Sequence, residues 1–581
     1  MAQVRASPRL ALAVLAAAAF LYLTGLGWLD ADAPDEPRAL QIAEELRSFE
    51  HGASGLVVLH LNGEVYDQKP PLYYWLAAAT GLPTGRVSEL GARLPSALAG
   101  LAAIGLTLVL GTRMLGSGTG VLAAAILATV FSFAYLARRV QFDVLLTAFE
   151  LAALTSFWWL DRGLGPRRRQ QLLLHLALGL AVLTKGPVGF LLPALTIVAY
   201  LLWERRPGDL RRAFPLWGLA LSLLPALVWL LVADALAPTG FLAGAVGENL
   251  FGRFFAGTSH ARPVHYYLWN FPLDFLPWTL AWPAVWIVGR REIFSSDGDE
   301  SARRAWRFLL AGIAASLVFF SLSSGKRGLY LVPIFPATAL LLADALLVWL
   351  AGRARVPRVF AASAWGGVAL LLGGGAMAGS AGMGHPIGVP ADGVAELRAP
   401  LLVAFGCGLI GIAFAAIAAG VLGVRNRVPV TTYPGFAAGT VAAVELAVFL
   451  LLMPALEPVT TLRPTAQAAA ALTPEAGRIG LLGSRSMVGG IAYYGERRVA
   501  ELRSPEDVER FFDRGGRAVV LKAKKLESLG AAVEVVHRVR SGDRALVVVT
   551  QRSDAAVRHS GGRGGPPAAT SHVPEPIPGL E

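Results

Sequence analysis

Four carboxylates crowd into seven residues near the start of the chain, directly after an apolar stretch over residues 10–29. They are Asp30, Asp32, Asp35 and Glu36. A stretch of that length can cross a lipid bilayer, so the acids would emerge at a membrane surface. Arg38 follows Asp35 by three positions, so the two share a face if the segment is helical. A carboxylate placed beside a bound anion can serve as a general base, which makes this run a candidate reaction centre.

The acidic run also has purely structural explanations. Asp30 and Asp32 are expected to be solvated, and Asp35 could simply cap a helix whose first turn holds Pro37. The apolar residues that follow recur at helical spacing, which predicts an amphipathic helix on the membrane surface. They are Leu40, Ile42, Ala43, Leu46 and Phe49. Spacing alone does not decide between a base and a cap.

The composition places these residues in a membrane protein. Of the 581 residues, 55% are hydrophobic and only 16% are charged, and the mean hydropathy is +0.54. A soluble domain could not bury that much apolar surface. The first apolar stretch is too long for a cleavable signal, and no small-residue cleavage site follows it. The single cysteine, Cys407, can form no internal disulfide.

Apolar stretches predict thirteen membrane spans, so the two termini would lie on opposite sides of the membrane. The predicted spans are 9–29, 88–110, 119–136, 143–160, 171–184, 188–203, 213–235, 270–289, 306–322, 330–350, 359–379, 401–423 and 435–454. With the N-terminus in the cytoplasm, every short inner loop is basic, as the positive-inside rule requires. The acidic run and the long loop over residues 30–87 then lie on the outer face.

Basic residues that depart from this rule on the outer side form a second candidate set. They are Arg38, Lys69, Arg138, Arg139, Lys185, Arg253, Arg262, Lys326 and Arg327. Cations gathered from several outer loops would suit a phosphate, and Asp143 is an acid at the outer end of the fourth span. Alternatives stay open, because Arg138 and Arg139 could snorkel to lipid headgroups and Lys185 in "TKGPVG" could mark a tight turn.

Six segments carry a resemblance to a known family. They are "DEPRALQIAEEL", "HLNGEVYDQKPPLYYW", "GARLPSALAG", "LTKGPVG", "GENLFGRFF" and "FFSLSSGKRGLYLVPIFP". Over about residues 10–350 the chain resembles the bacterial dolichyl-phosphate-mannose-protein mannosyltransferase-like family, which includes the 4-amino-4-deoxy-L-arabinose transferase of lipid A. The resemblance implies an α-helical polytopic membrane protein of the GT-C fold. It also implies an enzyme of the bacterial inner membrane that takes a sugar from an undecaprenyl-phosphate carrier.

The resemblance also assigns roles to single residues. It makes Asp35 the catalytic carboxylate and Asp143 a second important acid. The residues expected to contact the carrier phosphate or the substrate are Arg38, Lys69, Lys185, Lys326 and Tyr330. Aminoarabinose transferases carry a zinc-binding Glu directly before the lysine, but this chain has Gln68 there. A neutral amide oxygen is a poor zinc ligand, so we expect no metal cofactor, and His260 and His265 do not change this expectation.

The implied reaction is a single displacement that inverts the anomeric centre. The cations would hold the leaving phosphate, and Asp35 would take a proton from the acceptor or orient it. The acceptor would be a lipid, a glycan or a protein, and no nucleic-acid partner is expected. A transporter or flippase of lipid-linked sugars is the alternative, because broken helices and intramembrane charges also serve transport. Against it, the charges cluster at the outer face, and the interior spans are nearly free of acids.

The composition changes after Pro454. "GRIGLLG", "RRVAEL", "RAVVLKA", "AAVEVVHRVR" and "RALVVVTQ" predict short strands, and "SPEDVERFFDRG" predicts a helix with Ser504 and Asp507 in a capping box. We therefore divide the chain into a membrane domain over 1–454, a small outer α/β domain over 455–552 and a disordered tail over 553–581. "GSRSMVGG" is too loose for a dinucleotide-binding loop.

Overall fold

The computed structural model describes residues 5–31, 34–237, 240–247, 261–294, 299–351, 432–483, 485–539 and 545–552. Several predictions lie outside these residues. They are the spans 359–379 and 401–423, the tail over 553–581, and everything expected of Asp32, Arg253, His260 and Cys407.

Fifteen helices precede residue 352 in the described chain. They are α1 (Pro8–Leu23), α2 (Asp35–Arg47), α3 (Leu72–Gly81), α4 (Glu89–Met114), α5 (Ser117–Ala128), α6 (Phe131–Ala137), α7 (Phe142–Asp161), α8 (Arg167–Lys185), α9 (Val188–Trp203), α10 (Leu210–Ala213), α11 (Leu216–Leu236), α12 (Tyr266–Asp274), α13 (Trp282–Phe294), α14 (Glu300–Leu322) and α15 (Phe335–Leu350). Among the described residues, five helical segments are long and apolar enough to cross a membrane, or up to six if the bent pair α5–α6 counts as one. The count of thirteen spans stays a prediction.

The predicted span 119–136 is not one continuous helix. It breaks between α5 and α6, whose axes differ by 67°. The break exposes backbone groups that the loop before α13 satisfies. The indole N–H of Trp278 donates to the carbonyl oxygen of Thr129 (3.2 Å), and the backbone N–H of Phe131 donates to the carbonyl of Leu276 (3.3 Å). A contact between distant parts of the chain therefore permits the bend between α5 and α6, which the uninterrupted apolar run over 119–136 does not reveal.

The prediction of one span over 270–289 is also wrong. The segment forms α12 and α13, with a short 3-10 turn over Trp278–Ala281 between them. Pro277 has no backbone N–H to donate, so an α-helix cannot run through it without losing a hydrogen bond. By contrast, α8 and α9 are two separate helices, as predicted from 171–184 and 188–203.

Helix α2 has the predicted amphipathic pattern but not the predicted environment. Its apolar residues Leu40, Ile42 and Ala43 are fully buried inside the protein. They pack between α3 and a helix of the C-terminal domain, not against a membrane surface. The apolar face of α2 thus holds two parts of the protein together.

The C-terminal segment forms the predicted α/β unit. Its strands are β3 (Arg478–Leu482), β4 (Arg498–Leu502), β5 (Val519–Lys522), β6 (Val533–Val539) and β7 (Leu546–Gln551), in the order β4-β3-β5-β7-β6; β1 (His60–Leu61) and β2 (Glu64–Val65) form a separate hairpin. Strands β4, β3 and β5 are parallel, whereas β7 is antiparallel to β5 and β6. The helices that contact this sheet are α18 (Arg463–Ala471), α19 (Val488–Gly495) and α20 (Pro505–Asp513); α16 (Thr432–Ala447) and α17 (Met453–Thr460) precede them, and α16 contacts α1 and α5. The capping box of Ser504 and Asp507 on α20 is present as predicted.

Candidate active site

Asp35 lies at the first position of α2, and its carboxylate faces cations. An oxygen of Asp35 is 3.3 Å from a guanidinium nitrogen of Arg38, and the other is 3.5 Å from one of Arg327. Pro34 is the residue that precedes the helix, and no side chain caps its first turn. The sequence left two explanations of Asp35 open, a general base and a helix cap. The structure excludes the cap, because Asp35 is paired with arginines and does not cap the helix.

The charges around Asp35 and Lys69 influence each other. Burial raises the pKa of Asp35, but the positive charges of Lys69, Arg38 and Arg327 outweigh it and hold this pKa below its usual value. Burial lowers the pKa of Lys69 to about 8; Lys185 and Arg38 act in the same direction, and Asp35 opposes them. The carboxylate is therefore ionised at neutral pH, whereas Lys69 loses its charge at a pH far below that of an ordinary lysine.

A second acid–base pair lies beside the first. The ammonium of Lys185 forms a short ion pair with the buried carboxylate of Asp143 and lies 4.6 Å from the ring centre of Tyr330. The ammonium of Lys69 lies 3.9 Å from the ring centre of Phe142, the residue next to Asp143. The structure thus brings Asp35, Asp143 and their cations together from α2, α7, α8 and the loop before α3.

The helix ends explain how Asp143 and Lys185 meet. Helix α7 begins at Phe142, so Asp143 stands in its first turn, where the backbone N–H groups favour a negative charge. Helix α8 ends at Lys185, because Gly186 has a positive φ of 75° and Pro187 follows it. The "TKGP" segment therefore ends the helix in a turn, in agreement with the alternative explanation of a tight turn. The same turn places Lys185 beside Asp143.

Glu36 is a buried carboxylate that sequence reasoning passed over. It accepts hydrogen bonds from the side chain of Arg93 (3.1 and 2.9 Å) and from the backbone N–H of Val140 (2.8 Å). Arg139 adds an ion pair at 3.2 Å. Glu36 therefore ties the start of α2 to α4 and to the turn before α7, which fixes the position of Asp35. The only sequence signal was its place beside Asp35, together with the arginine in "GARLPS".

Two other cations that the sequence predicts on the outer side bind backbone carbonyls. Arg138 is buried and donates to the carbonyls of Leu21 (2.6 Å) and Thr24 (2.8 Å), where α1 ends. It therefore neither snorkels to headgroups nor faces Asp35. Lys326 donates to the carbonyl of Arg262 at 3.0 Å and to that of Ser323. Its contact with a substrate phosphate stays a prediction.

The C-terminal domain packs directly on the first turn of α2. A Cβ atom added to Gly489 on α19 would lie only 2.6 Å from the Cα atom of Arg38, so a glycine is needed at this contact. Asp30 takes part in the same contact. Its carboxylate lies 2.6 Å from a guanidinium nitrogen of Arg463 and accepts a hydrogen bond from Thr461 at 2.6 Å. The expectation that Asp30 is solvated is wrong, because its side chain is only 15% exposed.

An apolar groove leads away from these charges. It has a volume of about 1010 Å³ and lies between α12, α13, α14 and α15; its lining includes Phe271, Trp282, Leu310 and Leu341. Tyr267 also lines it and donates its hydroxyl to the carbonyl of Arg327 at 3.2 Å. The groove therefore adjoins a residue that contacts Asp35.

A metal site at Gln68 does not fit the residues that the structure describes. Within them, the ligand atoms of three His, Cys, Asp or Glu side chains converge only at Glu45, Glu50 and His51. Arg498 forms ion pairs with both glutamates, at 3.1 Å with Glu45, so it already balances that cluster. We assign no chemical step to a metal.

The fold and the site together define a multi-pass membrane protein of the GT-C fold, with a small C-terminal α/β domain. The structure is similar to that of ArnT from Cupriavidus metallidurans bound to undecaprenyl phosphate, with a TM-score of 0.74 and 22% identity over 94% of this chain and 98% of that one. The apo form of that protein gives a TM-score of 0.70, at 22% identity over 92% of this chain and 97% of that one.

Sequence comparison confirms the resemblance to the family. Residues 68–231, which include Lys69, Asp143 and Lys185, match the model of the dolichyl-phosphate-mannose-protein mannosyltransferase family. The chain is 32% identical to an undecaprenyl phosphate-alpha-4-amino-4-deoxy-L-arabinose arabinosyl transferase of Pseudomonas fluorescens, over 55% of this chain and 54% of that protein. It is 30% identical to the enzyme of that name from Pseudomonas savastanoi, over 60% of this chain and 63% of that protein. The chain thus spans less than two thirds of the length of these relatives.

Proposed function

We propose that this protein transfers a sugar from an undecaprenyl-phosphate carrier to an acceptor at the outer face of the bacterial inner membrane. One observation carries the proposal. Asp35, an ionised carboxylate, lies among three cations, Lys69, Arg38 and Arg327, and Tyr267 connects the backbone of Arg327 to an apolar groove. A general base, a phosphate site and a site for a lipid chain are the three parts that such a transfer requires.

The cations would stabilise the leaving group. As the bond between the anomeric carbon and the phosphate oxygen breaks, the electron pair stays on the phosphate. Arg38, Lys69 and Arg327 can hold the resulting charge through charge-assisted hydrogen bonds. Because Lys69 is partly buried, its charge is less screened by water than that of a surface lysine.

Asp35 would remove the proton from an acceptor hydroxyl as that oxygen attacks the anomeric carbon from the opposite side. In the free enzyme the three cations make Asp35 a weak base, because they lower its pKa. A bound phosphate would compensate these cations, so the pKa of Asp35 would rise and its basicity with it. One displacement of this kind inverts the anomeric centre. If the acceptor is itself an anionic phosphate, Asp35 would only orient it.

Asp143 would act on the same substrate from the second pair. Its ion pair with Lys185 keeps the lysine between the carboxylate and the ring of Tyr330. Lys185 is thus a further candidate for the phosphate or for a sugar hydroxyl, and Tyr330 for the sugar ring.

The apolar groove suits the polyprenyl chain of the donor. Its lining is almost entirely apolar, and Tyr267 connects it to Arg327. A chain lying there would bring its phosphate to the cations around Asp35. We propose lipid A as one acceptor, because relatives of this chain are named aminoarabinose transferases; a glycan or a protein hydroxyl would fit the same chemistry.

A transporter or flippase of lipid-linked sugars would use the same groove and the same cations. The placement of Asp35 favours an enzyme, because a carrier site needs the cations but has no use for an ionised base among them.

The Asp35→Asn variant tests the proposal. It keeps the size of the side chain and removes the base, so sugar transfer from an undecaprenyl-phosphate donor should fall by about 10²-fold or more, with donor binding retained. Glu64→Gln is the matched control, since it removes an exposed carboxylate from the same loop. Equal transfer rates in the two variants would contradict the role of Asp35. Donor binding without any transfer by the unmodified protein would favour the flippase.

A further inference from the structure

A pocket of about 370 Å³ lies in the C-terminal domain, away from the residues discussed so far. Its lining consists of Leu481, Gly483, Arg485, Glu501, Leu502, Arg503 and Lys525. These residues come from three segments, each of which directly follows or ends one of the parallel strands β3, β4 and β5. The pocket therefore lies at the carboxyl edge of the parallel part of the sheet.

This edge is the usual ligand position in open α/β sheets. Strand β3 lies in the middle of the parallel part, with β4 on one side and β5 on the other. The chain leaves β3 through Gly483, whose φ of +97° turns it towards α19. Turns of this kind, between a strand and a helix, bring backbone N–H groups to a ligand and favour anions.

The charges of the pocket also favour an anion. Three cations, Arg485, Arg503 and Lys525, share it with one carboxylate, Glu501, which lies 3.5 Å from Arg485. In the part of the chain that the structure describes, the side chains of Arg503 and Lys525 form no ion pair. The ammonium of Lys525 leans over Gly483, at a place that a Cβ atom would occupy. Arg503 and Lys525 therefore line the pocket without a direct ion pair, and the charge of Arg503 acts only at longer range on Asp507, whose pKa it helps to lower.

We propose that this pocket is a binding site for a phosphate group, either free or in the headgroup of a lipid. A phosphate monoester carries close to two negative charges and three acceptor oxygens, which match the cations Arg503 and Lys525 and the turn at Gly483. The proposal rests on the C-terminal domain alone and holds whether or not the protein transfers a sugar.

The pocket is also connected to the active site. Arg485 and Gly489 are four residues apart, on the 3-10 turn and the helix that follow β3, and Gly489 contacts the backbone of Arg38. The distance along such a segment is about 6 to 8 Å. A phosphate in the pocket would therefore bind the segment that supports the first turn of α2.

Hydrogen–deuterium exchange of the full chain in a neutral detergent tests the proposal and locates the site. The probes are inorganic phosphate and dihexanoyl phosphatidic acid, with dihexanoyl phosphatidylcholine as the lipid control. Phosphate or phosphatidic acid should slow exchange in the peptides that contain residues 481–487 and 501–503. Protection by inorganic phosphate at equal or lower concentration identifies a free anion as the ligand, whereas tighter protection by phosphatidic acid identifies a lipid headgroup.

Substitutions distinguish a specific phosphate site in the pocket from a nonspecific attraction of phosphate to the positive charge of the protein. Arg503→Ala and Lys525→Ala should each raise the half-saturating concentration about tenfold, the scale of one charge-assisted contact. Arg517→Ala is the control, because it removes an exposed cation near the other end of β5. No protection of these peptides, or the same weakening by Arg517→Ala, would overturn the proposal.

Discussion

Asp35 and Arg327 lie 292 positions apart in the chain, yet a guanidinium nitrogen of Arg327 is 3.5 Å from a carboxylate oxygen of Asp35. Arg38 contacts the other oxygen from within α2. The carboxylate is thus held between a local arginine and a distant one. The distant arginine belongs to the segment that also carries Tyr330 and adjoins the apolar groove, so it links the carboxylate to the proposed site of the lipid chain.

Arg327→Ala should lower kcat/KM for the polyprenyl donor by about tenfold or more, because one charge-assisted contact to phosphate is lost. Arg327→Lys should recover part of the loss. The pKa of Asp35 should rise in the alanine variant, because one of the cations that lower it is gone. The acid limb of the pH profile of kcat/KM should therefore move to higher pH. Arg113 is an exposed arginine in the last turn of α4. The control variant Arg113→Ala should change neither kcat/KM nor the position of its acid limb. An unshifted acid limb in Arg327→Ala would contradict the contact.

Lys69 predicts an alkaline limit to donor binding. It is protonated below its pKa of about 8 and neutral above it, so its attraction for phosphate is complete at low pH and lost as the pH rises. The kcat/KM for the donor, which reports the free enzyme, should therefore fall above about pH 8. Lys69→Arg keeps the charge at all accessible pH values and should remove this limb, while Lys69→Ala should lower activity at every pH. An identical alkaline limb in the wild type and Lys69→Arg would assign the titration to another group.

Gly489→Ala should disturb the active site from the C-terminal domain. The added Cβ would lie 2.6 Å from the Cα atom of Arg38, so α2 and α19 must separate, at a cost of about 1–3 kcal/mol typical of overpacking. We expect a lower melting temperature and a higher donor KM, since Arg38 moves with the backbone. Gly439→Ala is the matched control, because a Cβ at that position on α16 meets no atom within 4 Å. A normal melting temperature and KM in Gly489→Ala would show that the two helices do not need this close contact.

The orientation of the chain in the membrane is open to a direct test. Arginines in the alternate loops predict that residue 168 is cytoplasmic and that the C-terminal domain, together with Asp35, lies outside. Reporter fusions after Arg168 and after Ala500 should therefore report opposite sides of the membrane. If both fusions report the same side, the prediction of thirteen spans is wrong.

Local patterns in the sequence determined most of the elements. The helical spacing after Pro37, the capping box at Ser504 and the short apolar runs after Pro454 predicted α2, α20 and the strands of the sheet, because these signals depend on neighbours in the chain. The motifs also predicted Asp35, Asp143 and the cations near them. What the patterns missed are long-range effects, such as the break at Thr129, which depends on Trp278.

The sequence by itself identified a membrane protein and predicted acids and cations at one of its faces. The tertiary structure decided which of them meet. Asp30 and Asp35 look alike in the acidic run, but Asp30 pairs with Arg463 of the C-terminal domain, whereas Asp35 faces Arg38 and Arg327. Charge and spacing give a residue its chemistry, but the partners of a carboxylate come from distant segments. Only the packing of those segments fixes its distances, its burial and therefore its pKa.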